Sequence, residues 1–173
     1  MRNIILIGLP GSGKTSAGRR VARHFSLPFV DSDEELESGL GMRIKEYFAA
    51  HGEDAFRDEE ARVLKELLQQ PRPFVLSTGG GAVLRPENRQ LLRSGGIVFY
   101  LHASPEAIYR RLKHDTQRPL LQVADPLAQI RSLFEKREPL YRETAHHLVP
   151  CGRGSVASTV HKIIHKIQTQ TEE

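Results

Sequence analysis

Cysteine is almost missing from this chain. Cys151 stands alone, which rules out an intramolecular disulfide and a cysteine-built zinc cluster. That usage fits a reducing compartment, and a cytoplasmic location is expected. Long apolar runs are missing as well. No stretch approaches the roughly 18 apolar residues of a membrane span, so no membrane partner is expected. The apolar opening around Ile4, Ile5, Leu6 and Ile7 is short and has no small-residue cleavage site after it. It reads as a core strand rather than a secretory signal. Blocks of like charge are also lacking. The 25 Lys and Arg against 21 Asp and Glu leave a net charge of +4, but the arginines are scattered through polar segments without a basic run. Nucleic acid is therefore not an expected partner. With no internal repeat or low-complexity tract, a chain of 173 residues and 39% hydrophobic content suits one compact domain, residues 1–173, with a real core.

What the chain has is a glycine-rich phosphate signature. Residues Gly8 to Thr15 read GLPGSGKT, a full match to G-x-x-x-x-G-K-[ST], directly after the apolar run and directly before a helix-compatible stretch. A phosphate needs several donors converging on a small volume. Backbone N–H groups can supply them where Gly11, Ser12 and Gly13 leave room, and the opening of the following helix adds its positive dipole end. The Lys14 amine would reach the terminal phosphates, Thr15 would join the coordination of Mg²⁺, and Ser16 continues the cradle. The expected ligand is a nucleoside triphosphate.

Candidate strands at 3–8, 28–31, 74–77, 97–101 and 147–150 alternate with helical stretches, the pattern of a parallel sheet covered on both faces. A helix is expected over 14–25, with Ala17, Val21, Ala22 and Phe25 at helical spacing. Another should span 105–112, with Ser104 as N-cap ahead of Pro105. A third, over 155–167, should pack Val156, Val160, Ile163, Ile164 and Ile167 on the sheet. Two segments exceed this alternation. Residues 33–70 have the charge and helical spacing for a helical layer of their own, overhanging the phosphate loop. Residues 113–126, polar and proline-marked around Arg118 and Pro119, read as a lid.

Asp31 and Asp33 sit at the end of the second strand, two apart, so persisting strand geometry would turn both toward one side. The same Asp-Ser-Asp-Glu-Glu run is also a good helix start, with Ser32 or Asp33 as cap. The glycines Gly79, Gly80 and Gly81 follow the third strand. They would permit close backbone approach to a ligand in the crevice beyond the strand ends, or serve as a flexible turn. The pairs His146 with His147 and His161 with His165 lack a carboxylate partner pattern and are not expected to form a metal site. Cys151 reads as a strand-end packing residue, and Glu172 and Glu173 as a frayed tail.

The series GLPGSGKT, VDSDEELE (30–37), EDAFRDEE (53–60), STGGGAV (77–83), QRPLL (117–121) and KREPLY (136–141) closely resembles the ordered motifs of the shikimate kinases and covers nearly the whole chain. The resemblance implies a three-layer α/β/α P-loop fold with a five-stranded parallel sheet of order 2-3-1-4-5. It also implies a substrate-binding helical region at 33–70 and a lid at 113–126. ATP as co-substrate, Mg²⁺ and shikimate follow from it. Shikimate carries one carboxylate and three hydroxyls, so its pocket calls for cationic forks and a carboxylate. Arg57 and Arg137 suit the former, because a guanidinium grips a carboxylate bidentately.

By the same resemblance Asp33 touches the ring hydroxyls and orients or deprotonates the attacking one. Asp31 lies near the metal's water shell, and Gly79, Gly80 and Gly81 meet the ring and carboxylate. Arg118 swings over the phosphates as a catalytic residue beside Lys14 and Asp33. An arginine in that role can be worth about 10³ to 10⁵ in turnover. Arg111 and Arg153 flank the adenine. Transfer to the 3-hydroxyl of shikimate, in cytoplasmic aromatic amino-acid biosynthesis, is the expected activity. The fold needs no partner to bury its core, and a monomer is expected. A kinase of gluconate or of a nucleoside monophosphate, and a nucleotide-binding regulator without turnover, are the rival readings.

Overall fold

A computed structural model of the chain describes residues 1–113 and 122–171. Arg118, most of the expected lid, and Glu172 and Glu173 lie outside the described residues. Five parallel strands form one sheet in the order β2-β3-β1-β4-β5, as expected. They are β1 (Asn3–Ile7), β2 (Phe29–Asp31), β3 (Val75–Ser77), β4 (Gly96–His102) and β5 (His147–Pro150). β1 lies at the centre, with Ile5 opposite Leu76 of β3 on one edge and Val98 of β4 on the other. Its apolar run is continuous because both faces are covered. Ile4 and Leu6 join one core cluster while Ile5 and Ile7 join the other, the period of two that a strand imposes.

The cluster holding Ile4 and Leu6 is closed by α1 (Lys14–His24) and α7 (Val156–Thr171). They supply Ala17, Val21 and Ala22 from the former and Ile163 and Ile167 from the latter. On the opposite face lie α2 (Ser32–Leu40), α3 (Ile44–Leu68), α4 (Pro86–Gly95), α5 (Pro105–Leu112) and α6 (Pro126–Thr144). α5 begins as its sequence predicts: the Ser104 hydroxyl accepts from Ala107 N at 3.2 Å, with Pro105 in the first turn. α4 and α6 were not anticipated. Each opens with a proline in its first turn, a start signal that was present in the sequence. α6 also carries Pro139 inside, a residue that argues against a continuous helix.

Residues 33–70 do form helices, but two expectations about their entry are corrected. The extended geometry does not persist to Asp33, because β2 ends at Asp31 and α2 starts at Ser32. The cap is Asp31, not Ser32 or Asp33: its Oδ1 accepts from Asp33 N at 2.9 Å and Glu34 N at 3.3 Å. Ser32 is fully buried, and its hydroxyl instead accepts from Gly79 N at 3.1 Å, stitching the start of α2 to the glycine loop after β3.

α3 bends at Gly52, whose φ of 85° and ψ of 175° fall where only glycine is comfortable. A Cβ there would meet nothing within 4 Å, so the requirement is conformational rather than spatial. Gly52→Ala should lower the unfolding free energy by about 1–3 kcal/mol. Gly39→Ala, inside α2 with equally open surroundings, should be neutral or stabilising by up to about 1 kcal/mol. Urea denaturation of the two variants checks this, and equal losses would contradict the conformational reading.

Candidate active site

Parallel strands bring all their C-terminal ends to one edge, and the chain order reverses across β1. The loop after β1 therefore opens into the crevice where α/β sheets take ligands. The resulting cleft, about 380 Å³, is lined by Gly11, Gly13, Lys14, Thr15 and Ser16 from the loop and α1, Asp31 and Asp33 from the β2–α2 junction, Gly79 and Gly80, and Arg111. Gly13 caps α1 in the left-handed region at φ 93°, with no side chain to fill the space above the helix N-terminus. Lys14 is buried and its Nζ donates to Gly8 O at 2.6 Å and Leu9 O at 2.9 Å. These bonds hold the amine inside the loop. The buried Ser12 hydroxyl finds no hydrogen-bond partner among the described residues.

Thr15 Oγ1 lies 3.4 Å from Asp31 Oδ2. Two hard oxygens side by side at the mouth of an anion cradle fit Mg²⁺, which takes few protein ligands and completes its shell with phosphate and water. Arg111 lies over the loop and donates from Nη1 to Gly11 O at 3.1 Å. Arg153 lines a neighbouring cavity with His102, Cys151 and Lys162 rather than the cleft itself. Between them sits Cys151, half-buried after β5, with its thiol donating to Ser12 O at 3.4 Å. Burial pushes that thiol's pKa up, so it behaves as a packing group and not as a nucleophile.

The glycine triplet explains the acceptor side. A Cβ on Gly79 would come within 2.5 Å of Asp33 Oδ1, one on Gly80 within 3.0 Å of Arg137 Nη1, and one on Gly81 within 2.5 Å of Arg57 Nη1. Each glycine thus makes room for one of the three polar side chains expected to hold the acid. Arg57 is 11% exposed and donates from Nη1 to Glu60 Oε1 at 2.9 Å. Its Nε has no hydrogen-bond partner among the described residues, with Glu53 only at ion-pair distance, 3.7 Å. Glu60, 1% exposed, was not expected. The signal was available, since it stands three residues after Arg57 on one helix. Burial pushes its carboxyl pKa up, and the charges of Arg57, Arg137 and Arg85 oppose that rise.

Asp33 is half-buried, and its carboxyl is pushed from near 3.8 to about 6. Burial is the largest cause, followed by the charges of Asp31 and Glu60, with Lys14 opposing. A carboxylate poised near neutrality beside a phosphate cradle can accept or share a proton on a hydroxyl.

Comparison with known proteins identifies the family. The sequence model of the shikimate kinase family matches residues 10–168. A shikimate kinase of Paracidovorax citrulli is 50% identical over 168 residues, 96% of this chain and 92% of that one. One from Burkholderia thailandensis is 48% identical over 166 residues, 96% of this chain and 90% of that one. The solved shikimate kinase of Acinetobacter baumannii in complex with shikimate superposes with a TM-score of 0.94 at 39% identity, covering 100% of this chain and 96% of that one. With matches of this extent, the chain belongs to the shikimate kinase family of ATP-dependent kinases.

Proposed function

We propose that the chain transfers the γ-phosphoryl group of ATP to the 3-hydroxyl of shikimate, giving shikimate 3-phosphate and ADP in chorismate and aromatic amino-acid biosynthesis. The observation that carries this reading is the glycine triplet. Its three missing side chains let Asp33, Arg137 and Arg57 close onto one loop, and Asp33, Gly79 and Gly80 line the cleft beside the phosphate loop. Two guanidinium groups and one carboxylate complement a small acid with several hydroxyls, whereas a nucleobase would call for neither. In this reading Gly11, Ser12, Gly13, Lys14, Thr15 and Ser16 hold the triphosphate, and Arg111 and Arg153 flank the base. Thr15 and Asp31 would hold Mg²⁺, which when bound neutralises charge on the phosphate oxygens.

Arg57 and Arg137 orient the acid by its carboxylate. Asp33 accepts a hydrogen bond from the attacking hydroxyl and keeps it in line with the γ-phosphorus. Because phosphoryl transfer passes through a loose transition state, that positioning matters more than early proton removal. Residues 33–70 serve as the substrate-binding region and 113–126 as a lid whose Arg118 closes over the phosphates; the latter role rests on sequence resemblance alone. A single cytoplasmic domain acting as a monomer belongs to the same proposal. Among the described residues no helix is long and apolar enough to cross a membrane.

A coupled assay with MgATP should release ADP when shikimate is supplied and not with gluconate or AMP. Equal release with either of those would rule out the substrate. Arg57→Ala should weaken shikimate binding by about 2–5 kcal/mol, the range for truncating one partner of a desolvated charge pair. Titration calorimetry giving unchanged affinity would exclude the carboxylate role.

The raised pKa of Asp33 makes two linked expectations. kcat/KM for shikimate should fall on the acid side with a midpoint near 6, and Asp33→Asn should lose most turnover together with that limb. Folding should respond in the opposite sense. Between about 3.8 and 6 the folded chain binds more protons at this site than the unfolded chain. The site therefore stabilises the fold at low pH, and that stability is lost as pH rises through 6. Ionised Asp33 then costs about 2 kcal/mol at pH 7, after discounting for its partial exposure. Urea melts should find Asp33→Asn more stable than the parent near neutrality, with the gain shrinking as pH falls from about 6 to 3.8. A variant less stable at neutral pH would contradict this.

A further inference from the structure

The mechanism above gives no role to Tyr141, whose hydroxyl lies at the acid site. Tyr141 is 1% exposed, and its hydroxyl donates to Gly80 O at 2.6 Å. Gly80 is the central glycine of the triplet, packed between Pro10 of the phosphate loop and Arg137 Nη1. On α6, Arg137 stands one turn before Tyr141, the spacing that places two side chains on one face. Arg137 Nη1 rests against that same glycine, and the charges of Arg137 and Arg57 both act on the phenol. The hydroxyl thus donates to the carbonyl of the glycine on which the arginine rests.

The ring behind it is held firmly. Tyr141 stacks on Tyr100 of β4 with centroids 5.0 Å apart and an interplanar angle of 28°. The Tyr100 hydroxyl donates to Glu138, the residue after Arg137, and Glu138 also accepts from Arg142 Nε at 2.5 Å. A core tyrosine kept only for its bulk would not need this arrangement, because phenylalanine would pack without a hydroxyl to satisfy.

We propose that Tyr141 is a positioning residue for the acid site, whose hydroxyl fixes the Arg137 guanidinium and the Gly80 carbonyl relative to each other. It rests on the reading that Arg137 grips the substrate carboxylate. Without the hydroxyl, the part-buried Gly80 carbonyl loses its donor, and the glycine against which Arg137 packs is no longer pinned. The arginine must then be ordered by the substrate itself, a cost that appears in acid binding and not in nucleotide binding.

The test is a kinetic double-mutant cycle on the full chain with MgATP and shikimate, using Tyr141→Phe, Arg137→Ala and the pair. Tyr141→Phe should raise the KM for shikimate by about tenfold, the effect of one buried hydrogen bond. kcat and the KM for ATP should stay within about threefold, and the melting temperature should fall by no more than about 5 °C, the effect of one lost hydrogen bond, because the ring and its stacking remain. In the Arg137→Ala background the same change should have almost no further effect. An unchanged shikimate KM in Tyr141→Phe, or a tenfold rise that persists without Arg137, would overturn the positioning role while leaving the carboxylate assignment intact. An Arg137→Ala enzyme with the parent's shikimate KM would overturn that assignment and this proposal with it. A Tyr141→Phe chain that does not fold would assign the hydroxyl to the core instead, and so would also overturn it.

Discussion

Strand β1 is hydrogen-bonded along both edges to parallel neighbours, and every polar group of the cleft depends on that pairing. Parallel strands must end on the same side. The phosphate loop after β1, Asp31 at the end of β2, the glycines after β3 and α5 after β4 therefore all emerge along one edge of the sheet. The fully buried run Ile4 to Ile7 keeps β1 immobile in the centre. Mobility at this position would move the loop against Asp31 and Gly80, which are contributed by other strands. Hydrogen bonds from Thr78 to Leu6 O, and from Gly79 N to the Ser32 hydroxyl, then lock the β3 loop to both β1 and α2.

On that rigid edge the chemistry is arranged by removing atoms as much as by adding them. Three consecutive residues without Cβ let a carboxylate and two guanidinium groups lean onto the same loop, and any one side chain there would displace its partner. The arrangement crowds charge into a half-buried space. The fold manages this with neighbours of opposite sign, Arg57 for Glu60 above all. Removing either member of such a pair leaves an uncompensated buried charge, which is worse for folding than never having had the pair.

Much of this was legible in the residues. The apolar run followed by GLPGSGKT marks β1, the loop and α1 together, and Ser104 with Pro105 marks the start of α5 within a residue. The strand order came from family resemblance and not from periodicity, because short buried strands say little about their neighbours. Other features were hidden for identifiable reasons. Pro139 disguised α6, although Pro126 announced its start. Asp31 does end the strand as read, but the helix cap was sought at Ser32 or Asp33 when Asp31 itself supplies it. The bend at Gly52 depends on a backbone angle that no spacing reveals. Tyr141, at the end of a motif used for its arginine, could be connected to Gly80 only once the sheet had brought residues 61 positions apart into contact.

The two buried carboxylates show how this packing separates structural from chemical roles. Glu60 is the more deeply buried, yet three arginines oppose its desolvation, and one of them donates directly to it. Asp33 has carboxylates at Asp31, Glu60 and Glu37 raising its pKa, with the Lys14 charge opposing them. The fold therefore leaves Asp33 under-compensated while satisfying Glu60. A group held in that condition gains most from a ligand that offers hydroxyl donors, whereas a carboxylate already bonded to an arginine gains less. Instability stored at one side chain is in this way available to favour the bound state, consistent with active sites being less stable than the scaffold could allow.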